Sequence, residues 1–148
     1  MVDLLVRREV RGLLDAQKRR GLRLRLRAAL RLLDRTRSQV TVLLTGDREI
    51  RELNRSYRKL DRATDVLSFH QHDLQGEDDP AGDDVFLGDI VISVETVLRR
   101  AGGKRLEGEL ARVAIHGLCH LFGHDHHRPA PARKMRKLEN RLLRATRS

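Results

Sequence analysis

His116-Gly117-Leu118-Cys119-His120-Leu121-Phe122-Gly123-His124-Asp125-His126 is the stretch around which the rest of the chain is organised. Two histidines four apart on a helix project from one face, because four residues turn the chain through about 400° at roughly 100° each. Gly123, three residues after His120, is placed to end that helix, since glycine enters the left-handed conformation at little cost. The chain then turns back and presents His126. Three neutral imidazoles on one side of a divalent ion leave a coordination position open. That is the arrangement of a catalytic zinc, whereas structural zinc sites usually close with cysteines. His116, His120 and His126 are therefore the expected ligands of a single Zn2+ per chain.

Working outward, the helix that carries the first two histidines reads from Leu106 to Phe122, with Leu110, Val113, Ala114, Gly117, Leu118 and Leu121 as its packing surface. Upstream, Val2 to Val6, Gln39 to Thr45, Asp65 to Phe69 and Phe86 to Ser93 are short β-type runs. A helical pattern with a strongly basic outer face runs from Leu13 to about Leu33. That face is read either as solvated or as turned toward RNA. Asp47 is expected to cap a helix through Ile50, Leu53 and Tyr57. A short helix follows Ser93 up to Arg100, and a last one covers Ala132 to about Ala145. Residues 70 to 84, with their aspartates, Gly76, Pro80 and Gly82, read as an acidic solvated loop without calcium-loop spacing. Together these elements predict an α+β fold. It is a single domain over residues 1–148, with one mixed sheet of about four strands and about five helices. The metal site lies at the C-terminal end of the long helix, and parallel crossovers are expected among the Val40, Asp65 and Phe86 strands.

The chain has 148 residues, enough for one core, but only three Phe, one Tyr and no Trp, so that core must be aliphatic. The net charge is +10, and arginine supplies most of it. Arginine forks match phosphate oxygens, and a strong positive field favours polyanionic partners; the same composition could equally just solvate the surface. The single Cys119 excludes an internal disulfide and agrees with a reducing compartment. No secretory signal or bilayer-spanning run is read, so a soluble cytoplasmic protein is expected.

The histidine spacing is that of the zinc-peptidase motif H-E-x-x-H-x-x-G-x-x-H, but Gly117 occupies the place of the glutamate general base. This one residue argues against a protease. His124 could replace His126 as third ligand, and His127 stands adjacent. Cys119 lies about 100° round the helix from His120, which favours a buried thiol over a ligand. Asp125 could orient a ligand imidazole or act on metal-bound water; it could also be a turn residue. A zinc with three neutral ligands keeps its double positive charge and suits a phosphodiester better than an amide, with an arginine completing a clamp.

The run Leu53-Asn54-Arg55-Ser56-Tyr57-Arg58-Lys59-Leu60-Asp61, followed by Thr64-Asp65-Val66-Leu67-Ser68-Phe69, resembles the L-N-x-x-Y-R-x-x-D…T-x-V-L-S-F segment of the YbeY family. Leu87 to Ser93 looks like its L-G-D-I-x-I-S strand, and His116 to His126 is similar to its H-G-x-x-H-L-x-G-x-D-H signature. The resemblance implies a zinc-dependent endoribonuclease directed at single-stranded RNA. It would act in maturation of the small-subunit ribosomal RNA 3′ end and in ribosome quality control, with the small subunit and its associated proteins as partners. It also implies metal ligation by His116, His120 and His126 and a functional role for Arg58, for which an ion pair fixing its helix is the other reading. His70 stands where the family commonly has proline and His124 where it commonly has tyrosine; with His72 they could add imidazoles near the cleft. A non-catalytic ribosome-assembly factor with a stabilising metal, and a metallopeptidase lacking its usual base, are the competing functions. Oligomeric state is not legible in the sequence.

Overall fold

The computed structural model describes residues 1–70, 85–123 and 129–147. Four strands form one sheet: β1 (Val2–Val6), β2 (Gln39–Thr45), β3 (Val66–His70) and β4 (Phe86–Ser93), in the order β1-β2-β4-β3. The helices are α1 (Ala16–Leu32), α2 (Asp47–Arg58), α3 (Val94–Ala101), α4 (Leu106–Leu121) and α5 (Pro129–Thr146), with a 3-10 helix at Arg8–Leu13. Among the described residues no helix is long and apolar enough to cross a membrane.

Alternation along the strands decides the layering. Val40, Val42 and Leu44 of β2 and Ile90 and Ile92 of β4 share a large core with α1, α4 and α5. The in-between positions Leu43, Leu67, Phe69 and Val91 meet Ile50 and Leu53 of α2 in a smaller cluster. A period of two sends neighbouring residues to opposite faces, so α2 lies across the sheet from α4. The core is aliphatic, as the composition requires.

Three local expectations are corrected. First, β1, β2 and β4 run parallel, but β3 is antiparallel to β4, pairing Val66 with Ile92 and His70 with Gly88. Residues 71–84, between β3 and β4, carry no apolar helical period; an antiparallel neighbour needs no crossover helix. The reading of 70–84 as an acidic loop lies, beyond His70, outside the described residues. Second, α1 starts at Ala16 rather than Leu13, because the Asp15 carboxylate caps it, accepting from the Lys18 N–H at 2.8 Å. Third, Asp47 is the first helical residue of α2, with Gly46 as its cap. Its carboxylate instead ties α2 to α3: Oδ1 accepts from the hydroxyls of Ser93 and Thr96, and Oδ2 meets Arg99 at 2.7 Å.

Candidate metal centre

Helix α4 is apolar on most of its circumference, with Leu110, Val113, Ala114, Ile115, Leu118, Cys119 and Leu121 buried. His116 and His120 fall on its partly open strip, one turn apart. Their Nε2 atoms stand 3.2 Å from each other, with ring centroids 4.8 Å apart and ring planes at 80°. On the far side of the first ring, His116 Nδ1 meets Glu139 Oε1 of α5 at 2.7 Å. A carboxylate accepts only, so it selects the tautomer with the proton on Nδ1 and leaves the Nε2 lone pair pointing toward His120.

This geometry fits a metal. Two nitrogens each about 2.0–2.1 Å from a zinc ion at the tetrahedral angle stand about 3.3 Å apart. The same separation accommodates a hydrogen bond when His120 carries its proton on Nε2; with that proton on Nδ1, both lone pairs converge on one point. A partly buried carboxylate behind a ligand imidazole, as Glu139 is here, is the usual outer partner of metal-bound histidine. Among the described residues no cluster of three ligand-type side chains forms. The third expected ligand, His126, lies outside the described residues, as do Asp125, His124, His127 and His72.

Sequence reasoning missed Glu139. The available signal was its place on α5, four residues after Met135 and three before Leu142, both buried. An acid on an apolar helical stripe requires a partner.

Gly117 has a structural reason. A Cβ there would stand 2.8 Å from Ile90 Cγ2, 3.0 Å from Ser68 Oγ and 3.2 Å from Val66 Cγ2. The Ser68 hydroxyl also donates to the Gly117 carbonyl at 2.9 Å. Helix and sheet touch at this point, and no side chain fits, least of all a glutamate. The cysteine is fully buried, and burial first, then the Glu139 charge, pushes its thiol up to about 12. Cys119 is therefore a protonated core residue at neutral pH, as the helical spacing implied.

The family model described as Endoribonuclease YbeY matches residues 15–147. The chain belongs to the YbeY family. It is 48% identical over 128 residues to the Endoribonuclease YbeY of Anaeromyxobacter sp. (strain Fw109-5), covering 85% of this chain and 64% of that relative. It is 46% identical over 112 residues to the Endoribonuclease YbeY of Moorella thermoacetica, covering 72% of this chain and 71% of that relative. The chain spans less than two thirds of the length of the Anaeromyxobacter relatives. The solution structure of a Thermotoga maritima protein superposes with a TM-score of 0.67 at 26% identity, covering 99% of this chain and 89% of that one.

The three YbeY segments converge in space. Val66 and Ser68 of the first and Ile90 of the second form the floor under Gly117 of the third. Gly88, at φ 143°, passes so close to the Phe69 carbonyl that no Cβ fits, and it also meets Leu121. His70, at the exposed end of β3, abuts the same end of α4: desolvation lowers its pKa and the Leu121 carbonyl opposes that shift. Arg58 ends α2 on the other sheet face, is exposed, and has no ion pair among the described residues. Its neighbour Tyr57 packs edge-on against Phe69 at 5.3 Å, which sets the end of α2 against the β3 end that His70 and Leu121 also border. Asp89, cross-strand from Phe69, is half-buried, and burial raises its pKa; sequence reasoning treated it only as a strand residue.

Proposed function

We propose that this chain is a metal-dependent endoribonuclease directed at single-stranded RNA. It would act in the cytoplasm on the 3′ end of small-subunit ribosomal RNA and in ribosome quality control, with the small subunit and its associated proteins as partners. Membership of the YbeY family and the names of its relatives support the reading. The observation that carries it is the pair of Nε2 atoms 3.2 Å apart, with the first ring held from behind by Glu139.

His116 and His120, completed by His126, would hold one zinc ion. When bound, that ion supplies Lewis acidity toward a phosphate oxygen and toward water. Glu139 fixes the His116 ring, so the site loses little ordering entropy on loading. Arg58, exposed and without an ion pair among the described residues, would offer its guanidinium fork to a phosphate oxygen. Asp125 is assigned to holding a ligand ring or receiving a proton. The positive net charge of the chain draws in the polyanion.

The test is cleavage of an RNA with an exposed single-stranded end by purified protein, with chelator, with zinc restored, and with His116→Ala. Cleavage that needs the metal and vanishes in the variant is expected. Full cleavage by metal-free His116→Ala protein overturns the reading. Binding of the RNA with no cleavage at any metal load reassigns the chain as an assembly factor. Product ends then separate the nucleophiles: a cyclic phosphate reports the neighbouring 2′-hydroxyl, a 5′-phosphate reports water.

A further inference from the structure

Helix α1 contains six arginines and Lys18 and no acidic residue. Its buried side is taken by Leu22, Leu26, Ala29 and Leu30, and Arg25 is spent on α5, donating to the Leu143 carbonyl at 2.9 Å. Arg19, Arg23, Arg27 and Arg31 recur every fourth residue, so they line one face at intervals of about 6 Å along the axis. None of the four has an ion pair among the described residues. By contrast, Arg7, Arg51 and Arg99 meet carboxylates, in Arg7–Glu49, Arg51–Asp61 and Arg99–Asp47. Like charges one turn apart repel and destabilise a helix, so the spacing of the row is not explained by stability.

The row borders a concavity. Strand β1 is one edge of the sheet, and between it and α1 runs a groove of about 930 Å³ lined by Arg23, Arg27 and Arg31. A second hollow of about 650 Å³ shares Leu4 and Leu5 with it and continues past Arg11 and Arg19. The one carboxylate in the larger groove, Asp3, already accepts from the Gln39 amide at 2.8 Å. The histidines lie on α4, whose Gly117 rests on β3 and β4. From β1 to β3 is three strand spacings, about 14 Å of sheet.

We propose that this groove is a second RNA site, a track in which the α1 arginines hold the phosphate backbone of single-stranded RNA away from the histidine centre. The inference rests on the ribonuclease reading for the choice of ligand. A row of forked cations set at regular intervals matches a chain of evenly spaced anions. A concave groove admits a strand, whereas a bilayer surface is flat. No aromatic side chain lines either hollow, so the track holds backbone without reading bases.

The test is anisotropy of labelled single-stranded RNA, about 20 nucleotides long, binding to wild type and to the triple variant Arg23→Ala/Arg27→Ala/Arg31→Ala across a salt series. Loss of three phosphate contacts lowers the slope of log K against log salt by about 2 and weakens binding more than about tenfold near 0.1 M salt. The variant relieves repulsion, so its melting temperature stays at or above that of wild type. The control, Lys134→Ala/Arg136→Ala/Lys137→Ala on α5, removes equal charge. Equal weakening by both triples overturns the proposal in favour of net charge alone. Unchanged RNA binding with lost binding to phosphatidylserine vesicles overturns it in favour of a membrane surface. Cleavage is scored separately: weakened binding by the triple with no cleavage by wild type sinks the nuclease reading and leaves the track, and intact binding with normal cleavage does the reverse.

Discussion

Replacing Gly117 and Gly108, two glycines of the same helix, with alanine should move stability in opposite directions. Both residues lie in α4, and alanine is favoured over glycine in a helix by about 0.8–1 kcal/mol. At Gly108 an added Cβ meets nothing within 4 Å. Gly108→Ala should therefore stabilise the fold by about 0.5–1 kcal/mol. At Gly117 the same methyl would sit 2.8 Å from Ile90 Cγ2 and 3.2 Å from Val66 Cγ2. Ile90 is fully buried and has no room to retreat. Moving α4 outward instead stretches the hydrogen bond from Ser68 to the Gly117 carbonyl. Overpacking of this kind costs about 1–3 kcal/mol, and a stretched hydrogen bond about 1 more. After the helix-propensity gain, Gly117→Ala should destabilise by about 1–3 kcal/mol. For a chain of this size that is a melting temperature about 3–9 °C below wild type, against a rise of about 2–3 °C for Gly108→Ala. Thermal unfolding followed by far-ultraviolet circular dichroism reads both. A Gly117→Ala protein that melts at or above wild type would refute the close approach of helix to sheet, and with it the steric account of why no glutamate stands in the motif. Gly117→Glu, which restores the peptidase sequence, should fail to fold, because its carboxylate would have to enter an apolar contact.

Two further outcomes follow from the site and the scaffold. Glu139→Ala should weaken zinc binding by about 10–100-fold, with Glu139→Gln between it and wild type; competition against a chromophoric chelator measures this, and unchanged affinity would remove Glu139 from the centre. Asp47 carries the acid sensitivity of the α2–α3 junction. Burial alone would raise its pKa, but the hydroxyls of Ser93 and Thr96 and the Arg99 guanidinium together outweigh burial and hold it below the usual carboxylate range. Its contribution is therefore present above the unfolded-state pKa of about 3.9 and is lost as pH falls through the lower folded-state value. Urea titrations between pH 2 and 7 should show Asp47→Asn less stable than wild type at neutral pH and flatter on the acid limb; parallel curves would refute the assignment.

The sequence by itself determined the features that depend on neighbours along the chain. The short, β-branched apolar run Gln39 to Thr45 identified β2, and the spacing of Leu110, Val113, Ala114 and Leu118 identified α4. Four-residue spacing put His116 and His120 on one face and turned Cys119 into the core, because helical geometry is the same wherever the helix sits. What only the tertiary structure decided are pairings between distant segments. β3 runs antiparallel to β4, Asp47 serves α3 rather than its own helix end, and Glu139 reaches back 23 residues to His116. Arg58 lies beyond the reach of helical spacing for the same reason: its helix covers one face of the sheet and α4 the other, and only the shared end of β3 relates them. Spacing sets direction within an element, whereas the partner a side chain finds depends on how elements stack. The histidine pair was thus legible in the chain, and the carboxylate that holds it in place was not, because that contact exists only once α5 has packed on α4.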